Sequence, residues 1–447
     1  MIQLVKNFRR VTGGSICMSL IRFLPLALFA GGLLICLWFH ASVLYALAFG
    51  YIVFFCYGRH SHLSVKELLE LSWQGIRTVR MVLIVFCLIG LITATWRASG
   101  TIPFLVYEVG QVISPHAFYL LTFLLNAMLS ILIGTSFGTA ATMGVICMSI
   151  GHVMGVSQVL ESGAILSGIY FGDRCSPLST SALVVATITK TDLFTNLHRM
   201  AVRAVVPFLL SCVFYGLAGF YSASGEVEIS ILAEFSEEFA LSWLTLLPAL
   251  VVIVMSLLRI AVWKTMLISI TSAIGLCLFV QGMTLETLLP MLLTGYKSTN
   301  PALAPLLNGG GMLSMAGPAA LITISCSYAG IFEKTDLLDS IKVGIRHLAR
   351  SITRFGATAI VSLGSVAISC NQTLSSIMVH ELCQDLYEDP QDMALTLEDT
   401  TIVLAAVLPW SIAAAVPLAT LGASSWGIAA AVYLFLQPLW SGLRAGK

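Results

Sequence analysis

Charged residues are scarce in this chain. Only 10% of its 447 residues are Asp, Glu, Lys or Arg, whereas 58% are hydrophobic. A soluble domain of this size cannot bury so much apolar surface, so most of the chain must lie in lipid, and membrane lipid is its first expected partner. The formal net charge of +1 argues against nucleic acid as a partner on bulk electrostatics.

Sequence motifs of enzymes and metal centres are also lacking. The chain contains no phosphate-binding loop, no dinucleotide-binding glycine pattern and no HExxH. Its 11 cysteines occur without CxxC or Cys/His spacing, which predicts free thiols packed as small core residues. We therefore expect neither an enzyme nor a resident cofactor, and ATP-driven pumping by this chain alone is not expected.

Apolar runs of membrane-spanning length recur along the whole sequence. A spanning helix needs about 20 apolar residues, and this length predicts an all-α polytopic membrane protein with about 10–13 transmembrane helices. The candidate spans are 23–39, 42–57, 81–97, 117–134, 160–171 continuing at 180–189, 203–221, 241–258, 264–282, 316–332, 355–369, 400–420 with a break at Pro409, and 424–440. Short or glycine-rich runs at 101–114, 137–154, 284–295 and 371–383 predict re-entrant hairpins or half-helices.

The charged loops predict an orientation in the membrane. Lys and Arg cluster before the first span, after the second, near 190–203, 259–264 and 334–354, and at the chain end, which places these loops in the cytoplasm. The segment 222–240 carries five glutamates and no Lys or Arg, so it predicts an external acidic linker. Both termini then lie inside, and 23–39 is an uncleaved first helix rather than a signal peptide.

This orientation predicts two inverted transmembrane repeats, residues 1–221 and 241–447, which start on opposite sides of the membrane. Each half carries a segment rich in glycine and hydroxyls, then an acidic residue, then a proline inside an apolar run. Helices interrupted at matching places in two halves are the best sequence pointer to a transporter's binding site. The matching features are 134–139, Asp173 and Pro177 in the first half, and 364–373, Asp399 and Pro409 in the second.

The stretch GDRCSPLSTSA, residues 172–182, carries the main site prediction. Pro177 has no N–H, so it leaves a backbone carbonyl about one turn earlier, near Asp173, without its helical hydrogen bond. Residues with hydroxyl groups lie on both sides of the proline. Such oxygen ligands suit a small cation, and a buried carboxylate also carries a proton, so one group can couple Na⁺ to H⁺ by competition. The alternative is an Asp173–Arg174 ion pair that only holds the helix break.

In the second half, amide, hydroxyl and carboxylate groups give further candidates. We expect Asn371 and Thr373 either to bind a cation or a carboxylate at the end of a half-helix, or to form hydrogen bonds between helices. We expect Asp399 either to face a transport cavity together with the Asp173 half, or to form with Glu398 an acidic first turn of a helix at the membrane surface. The predicted ion- or substrate-binding residues are Asp173, Asp399, Ser136, Thr139, Ser176, Thr180, Asn371 and Thr373, with Asp173 and Asp399 as Na⁺ candidates and Arg97, Arg174 and Glu398 as pathway or charge partners.

Arg97 and a glycine-rich turn stand apart from these groups. If Arg97 lies within the bilayer, it needs Glu108, Glu161 or Asp173 as a partner; otherwise it snorkels to an interface beside Trp96. The stretch NGGGMLSM, residues 308–315, predicts either a plain connector or a gating loop.

Taken together, these stretches resemble the NhaC-type Na⁺/H⁺ antiporter family of the ion-transporter superfamily. The motifs that carry the resemblance are WRASGTIP (96–103), GTSFGTAATMGV (134–145), GDRCSPLSTSA (172–182), TDLFTNLHRM (191–200), NGGGMLSM (308–315), YAGIFEKTDLL (328–338), CNQTL (370–374), and LEDTT with LPW (397–401, 408–410). The resemblance implies a carrier of the cytoplasmic membrane of a prokaryote, with inverted repeats and alternating access. Whether the carrier forms a homodimer is a question that the sequence leaves open.

One position departs from the family pattern. Family antiporters resemble GDKxSPLSDTT, whereas this chain has Thr180 at the acidic position after Pro-Leu-Ser. The resemblance also implies relatives that carry amino acids and carboxylates, such as malate/lactate exchangers. Two functions therefore stay open: Na⁺/H⁺ antiport, or Na⁺- or H⁺-coupled transport of an amino acid or other small carboxylate held by Ser136, Asn371 and Arg97 or Arg174.

Overall fold

The computed structural model describes residues 24–25, 27–36, 38–39, 41–112, 114–222, 229–258, 260–328, 330–331, 345 and 348–445. Within these ranges the chain is helical, and an isolated bridge between Tyr296 and Gly309 is its only β pairing. Seven described helices are long and apolar enough to cross a membrane, or eight if the bent pair around Pro409 is one span. Six shorter apolar helices accompany them. The predicted all-α polytopic membrane protein is thus confirmed.

The first half contains ten described helices. They are α1 (Ala27–Cys36), α2 (Val43–His60), α3 (Val65–Thr78), α4 (Arg80–Ala98), α5 (Thr101–Val112), α6 (Pro115–Ile133), α7 (Ser136–Val153), α8 (Gln158–Cys175), α9 (Thr180–Thr189) and α10 (Leu193–Ser222). The run 137–154, for which the sequence predicted a re-entrant hairpin or half-helix, lies in α7. Ser136–Val153 is long and apolar enough to span, because a π-helical turn at Ala140–Gly144 accommodates its glycines without ending the helix.

The remaining described helices follow in the second part of the chain, apart from single turns. They are α11 (Ile229–Glu238), α12 (Trp243–Leu257), α13 (Val262–Phe279), α14 (Leu285–Thr294), α15 (Met312–Ser327), α16 (Arg354–Ser369), α17 (Gln372–Cys383), α18 (Pro390–Val407), α19 (Ile412–Leu421) and α20 (Val432–Ala445). Residues 334–347 of the predicted basic cluster at 334–354 lie outside the described residues, apart from Ile345, and so do residues 1–23.

Two helix breaks meet in the first half. Helix α6 ends at Gly134, which adopts φ +74°, a left-handed conformation that suits glycine. Helix α8 ends where Ser176 becomes extended ahead of Pro177. The breaks pack together, because Ser176 Oγ donates to the Ile131 carbonyl at 2.6 Å and a Cβ on Gly134 would lie 2.5 Å from Leu178.

The second half repeats this pair of breaks. Helix α16 ends at Cys370 with φ +54°, and α18 ends at extended Leu408 ahead of Pro409. The Ile412 N–H donates to the Cys370 carbonyl at 2.9 Å, which joins the two breaks. The left-handed counterpart of Gly134 is therefore Cys370, rather than Gly364 as the glycine pattern suggested. Similar breaks support the predicted repeats, whose inverted orientation stays a prediction.

The predicted acidic linker contains structure of its own. Residues 223–228 lie outside the described part, but 229–238 form α11. The Glu238 carboxylate accepts hydrogen bonds from Tyr296 at 3.0 Å and Ser298 at 2.8 Å, and Glu234 accepts one from Asn300. These bonds fix α11 against the loop that leads to Gly309. Its location outside the membrane stays a prediction.

Replacing Gly134 by alanine is expected to destabilise the protein. The left-handed backbone costs an L-residue about 1–2 kcal/mol, and the new Cβ would also overlap Leu178. Gly364→Ala is the matched control, because it is helical and a Cβ there meets nothing within 4 Å. Thermal unfolding of the two purified variants in detergent measures the difference. Equal melting temperatures would contradict this account of the break.

Candidate functional site

Asp173 lies in the last turn of α8, next to the break, and is 5% exposed. Ser179 Oγ donates to its carboxylate at 2.9 Å, and Ser181 Oγ lies 2.7 Å from Ser179 Oγ. Ser136, the first residue of α7, is an electrostatic neighbour of the same carboxylate. Within the described residues, no Lys, Arg or His nitrogen lies within 4.0 Å of it. Hydroxyl groups from two helix starts therefore lie beside a carboxylate that has no cationic partner in the described part of the chain.

Arg174, the next residue along α8, forms a buried ion pair with Asp399. Both side chains are fully buried, and Arg174 Nη1 also donates to Tyr433 Oη at 3.1 Å. The alternative in which Arg174 pairs with Asp173 is wrong. Successive residues on a helix point about 100° apart, so Arg174 faces the second half while Asp173 faces the break.

Asp399 has further partners besides Arg174. Gln437 Nε2 donates to Oδ1 at 2.9 Å, and Arg203 Nη1 lies 3.3 Å from Oδ2. Asp399 and Glu398 sit in a π-helical turn, Glu398–Ile402, within α18, and both are buried. The prediction of an acidic first turn at the membrane surface is therefore wrong. These contacts favour charge balance for Asp399 over the Na⁺ ligation predicted for it.

Glu398 is the third carboxylate near Arg174, after Asp399 and Asp173. It is 1% exposed, its Oε2 has no hydrogen-bond partner, and its electrostatic neighbours are Arg174, Asp399 and Asp173. Since Asp399 already faces two guanidinium groups, Glu398 and Asp173 are the carboxylates of this group that have no ion pair of their own with a described residue. We call Asp173, Arg174, Glu398 and Asp399 the central charge cluster.

A chain of weaker ion pairs connects this cluster to the protein surface. Arg203 lies between Asp399 and Asp392, with 3.9 Å to the second, and Asp392 lies 3.7 Å from Arg354. Exposure rises along this path from 0% at the side chain of Asp399 to 49% at that of Arg354. The path therefore leads from the buried interior to the protein surface.

The structure does not bring the remaining predicted ligands into this cluster. Thr139 donates to the Thr135 carbonyl, Ser176 donates to Ile131, and Asn371 caps α17 by accepting from two backbone N–H groups. Thr180 and Thr373 are exposed. Thr139, Ser176 and Asn371 serve the helices and breaks instead, because the backbone groups there need substitute hydrogen bonds.

Sequence reasoning missed two groups. Ser179 was passed over for Thr180, yet it is the N-cap of α9, a role that a serine two residues after a proline signals. Glu161 was considered only as a partner for Arg97. It is fully buried, neither carboxylate oxygen has a hydrogen-bond partner, and a Cβ on Gly151 would overlap it. A Glu inside an apolar run was its only signal.

Arg97 lies in the last turn of α4 and is 8% exposed. Its Nε has no hydrogen-bond partner, and in the described residues no carboxylate lies within 4.0 Å of the guanidinium. Glu108, Glu161 and Asp173 are therefore not its ion-pair partners. Arg97 faces a cavity that is separate from the central charge cluster.

Breaking the Arg174–Asp399 pair is expected to be costly. Removing one member of a buried ion pair costs about 3–5 kcal/mol, because the other charge stays buried and unpaired. Arg174→Gln should therefore lower the free energy of unfolding by that amount, and adding Asp399→Asn should restore part of it.

Arg354→Gln is the control for this measurement, because it removes an exposed pair worth about 0–1 kcal/mol. Denaturant titration of the purified proteins in mixed micelles gives both values. A loss at Arg174 no larger than the loss at Arg354 would show that the buried pair is not a stabilising contact.

Comparisons with known proteins agree with the motifs. The Na⁺/H⁺ antiporter family model matches residues 168–439, more than half of the chain. The model of a C4-dicarboxylate anaerobic carrier matches residues 10–218.

Relatives of known name extend over most of the chain. The Na⁺/H⁺ antiporter NhaC of Alkalihalophilus pseudofirmus is 26% identical over 88% of this chain and 88% of its own length. The malate-2H⁺/Na⁺-lactate antiporter of Bacillus subtilis is 26% identical over 78% of this chain and 77% of its own. The arginine/ornithine antiporter ArcD of Halobacterium salinarum is 27% identical over 76% of this chain and 72% of its own length. With its polytopic helical fold and its buried carboxylates at paired helix breaks, the chain belongs to the Na⁺/H⁺ antiporter family.

Proposed function

We propose that this protein is a secondary active transporter of the cytoplasmic membrane of a prokaryote that exchanges Na⁺ for H⁺ by alternating access. The observation that carries the proposal is Asp173, a buried carboxylate at a helix break with hydroxyl donors and no cationic partner among the described residues. Membership of the family and the printed name of the NhaC relative support the same activity.

The physical argument starts from the cost of an isolated charge. An ionised carboxylate in a dry interior is strongly destabilised unless a counter-charge or a proton neutralises it. Arg174 does not fill this role, because it is bound to Asp399 and Tyr433. Asp173 must therefore hold either a proton or a small cation. Because one group cannot hold both, Na⁺ entry requires proton release, and this competition couples the two fluxes.

The surrounding oxygens favour a small hard cation. Ser179 and Ser136 contribute hydroxyl oxygens beside the carboxylate, and Ser181 lies within one further hydrogen bond. Oxygen ligands of this kind suit Na⁺ better than soft metals. Glu398, the second carboxylate without its own counter-charge, is our candidate for an additional proton site.

The helix breaks supply the moving parts of the proposed mechanism. Broken helices place polar backbone at membrane depth only where it lines a cavity or packs in protein, and in transporters such half-helices surround the transported ion. Here α7, α8 and α9 all meet at Asp173, and Arg174 links this point to α18 and α20. A rocking movement of one half against the other would expose Asp173 to each side in turn.

Coupled transport of a carboxylate or an amino acid is the second candidate function. The names of the malate/lactate and arginine/ornithine relatives favour it, as does Arg97, whose guanidinium faces a cavity without an acidic partner. In this reading the Na⁺ or H⁺ bound at Asp173 drives solute movement. The two candidates differ in whether ion exchange proceeds without an organic solute.

Asp173→Asn is expected to abolish coupled exchange, because an amide can neither release a proton nor supply a negative charge to Na⁺. The measurement uses proteoliposomes with a trapped pH-sensitive dye, an imposed proton gradient, and NaCl added without organic solute. Thr180→Ala is the matched control, since Thr180 is exposed next to the break and should leave exchange intact. Undiminished exchange by Asp173→Asn would remove Asp173 from the mechanism.

Ser179→Ala is expected to weaken Na⁺ binding without abolishing exchange. A hydrogen bond to a charged group is worth about 1.5–3 kcal/mol, so the apparent KM for Na⁺ should rise about tenfold or more. The same vesicles and dye give this value over a series of NaCl concentrations. A KM equal to that of Thr180→Ala would mean that Ser179 only caps α9.

A further inference from the structure

A polar cavity lies apart from the central charge cluster. Its volume is about 240 Å³, many times the ~10–15 Å³ that a single water needs. Its polar wall consists of Arg97, Ser149, His152, Gln158 and Asn308. Three of these, His152, Gln158 and Asn308, are exposed, so solvent reaches the cavity, whereas Arg97 and Ser149 are buried. Arg97 therefore forms its floor.

The backbone around Arg97 leaves space for the guanidinium. Gly309 has φ +135°, and a Cβ at this position would lie 2.8 Å from Arg97 Nη1. Asn308 is held in place because its Oδ1 accepts from the Ser298 N–H at 2.7 Å. The glycine-rich turn predicted from the sequence as a connector or gating loop is thus one wall of this cavity.

The charge of the cavity is unbalanced. None of its lining residues is acidic, and no described carboxylate forms an ion pair with Arg97. A guanidinium that is 8% exposed and unpaired disfavours a second cation and attracts an anion. Na⁺ is therefore the wrong occupant for this cavity, which needs a ligand with the opposite charge.

We propose that this cavity is a binding site for a small organic acid, whose carboxylate is held by Arg97. A planar guanidinium matches a carboxylate in a bidentate pair. The lining holds a single Arg and no Lys, which suits one carboxylate better than a doubly charged inorganic phosphate. Ser149, Gln158 and Asn308 offer hydrogen bonds to a hydroxyl, while Met148 and Leu306 offer apolar contact to a short carbon chain.

This assignment concerns binding, and it stands whether or not Asp173 exchanges Na⁺ for H⁺. It narrows the carboxylate candidate described above, because it selects Arg97 over Arg174 and an organic anion over an amino acid. The cavity lining has no acidic group to receive an ammonium. L-Lactate carries a hydroxyl group where L-alanine carries an ammonium group, and the two are otherwise alike. They are therefore a matched pair of probes.

Equilibrium binding of radiolabelled L-lactate to the full-length protein in detergent tests the proposal. We expect saturable binding by the wild type, a loss of affinity of about tenfold or more in Arg97→Gln, and partial retention in Arg97→Lys. Thr180→Ala should bind L-lactate normally, because Thr180 is exposed and lies outside this cavity. L-Alanine should compete poorly.

A second pair of variants leaves the charge in place. Gly309→Ala should weaken L-lactate binding by crowding Nη1, whereas Gly282→Ala, also at a left-handed glycine but with nothing within 4 Å, should not. Absence of L-lactate binding by folded wild type, or equal binding by Arg97→Gln, would overturn the proposal. Displacement by phosphate or chloride at equal concentration would mark an inorganic anion site, and preference for L-alanine an amino acid site; either result would also overturn it.

Discussion

The buried ion pair between Arg174 and Asp399 is the contact around which the rest of the site is arranged. It joins α8 of the first half to the π-helical turn of α18 in the second, and Tyr433 and Gln437 of α20 add hydrogen bonds to it. Because taking two charges out of water is expensive, these additional hydrogen bonds help to stabilise the buried pair. Its main effect is on its neighbours. Because Arg174 is bound to Asp399, Asp173 has no cationic partner among the residues that the structure describes, and an unpaired buried carboxylate is what an exchange site requires.

The helix breaks explain how charged groups come to lie at membrane depth. Gly134 and Cys370 end helices in left-handed conformations, and the residues before Pro177 and Pro409 end two more. At each break the backbone groups of a helix end are satisfied by nearby hydroxyls or by the other break. The hydroxyl-rich sequence around the breaks therefore serves two purposes. Most of these groups bind the backbone, whereas Ser136, Ser179 and Ser181 lie near the Asp173 carboxylate.

Much of this arrangement could be predicted from local sequence. Glycine, proline and hydroxyl patterns located the breaks, and the carboxylate in GDRCSPLSTSA was identified correctly as buried beside one of them. Long-range pairing could not be predicted, because 225 residues separate Arg174 from Asp399 and no periodicity links them. The choice of Thr180 over Ser179 shows a different limit. At the start of a helix, a shift of one residue turns a side chain from the site to the surface.

The central charge cluster and the Arg97 cavity differ in the sign of their charge. The central charge cluster has more carboxylates than its one fully buried guanidinium can balance, whereas the Arg97 cavity has a cation and no acid. Opposite imbalances suit opposite ligands, a cation in the first and an organic anion in the second. Both regions adjoin motifs that carry the family resemblance. A carrier with both sites could move ions alone or couple them to a solute.

The central claim is that Na⁺ and a proton compete for Asp173. Proton release on adding NaCl to purified, lightly buffered protein in detergent tests it most directly. The account predicts that the wild type and Thr180→Ala release protons in step with bound Na⁺, and that Asp173→Asn releases none. Release that is undiminished in Asp173→Asn, or Na⁺ binding to the wild type without release, would contradict the account.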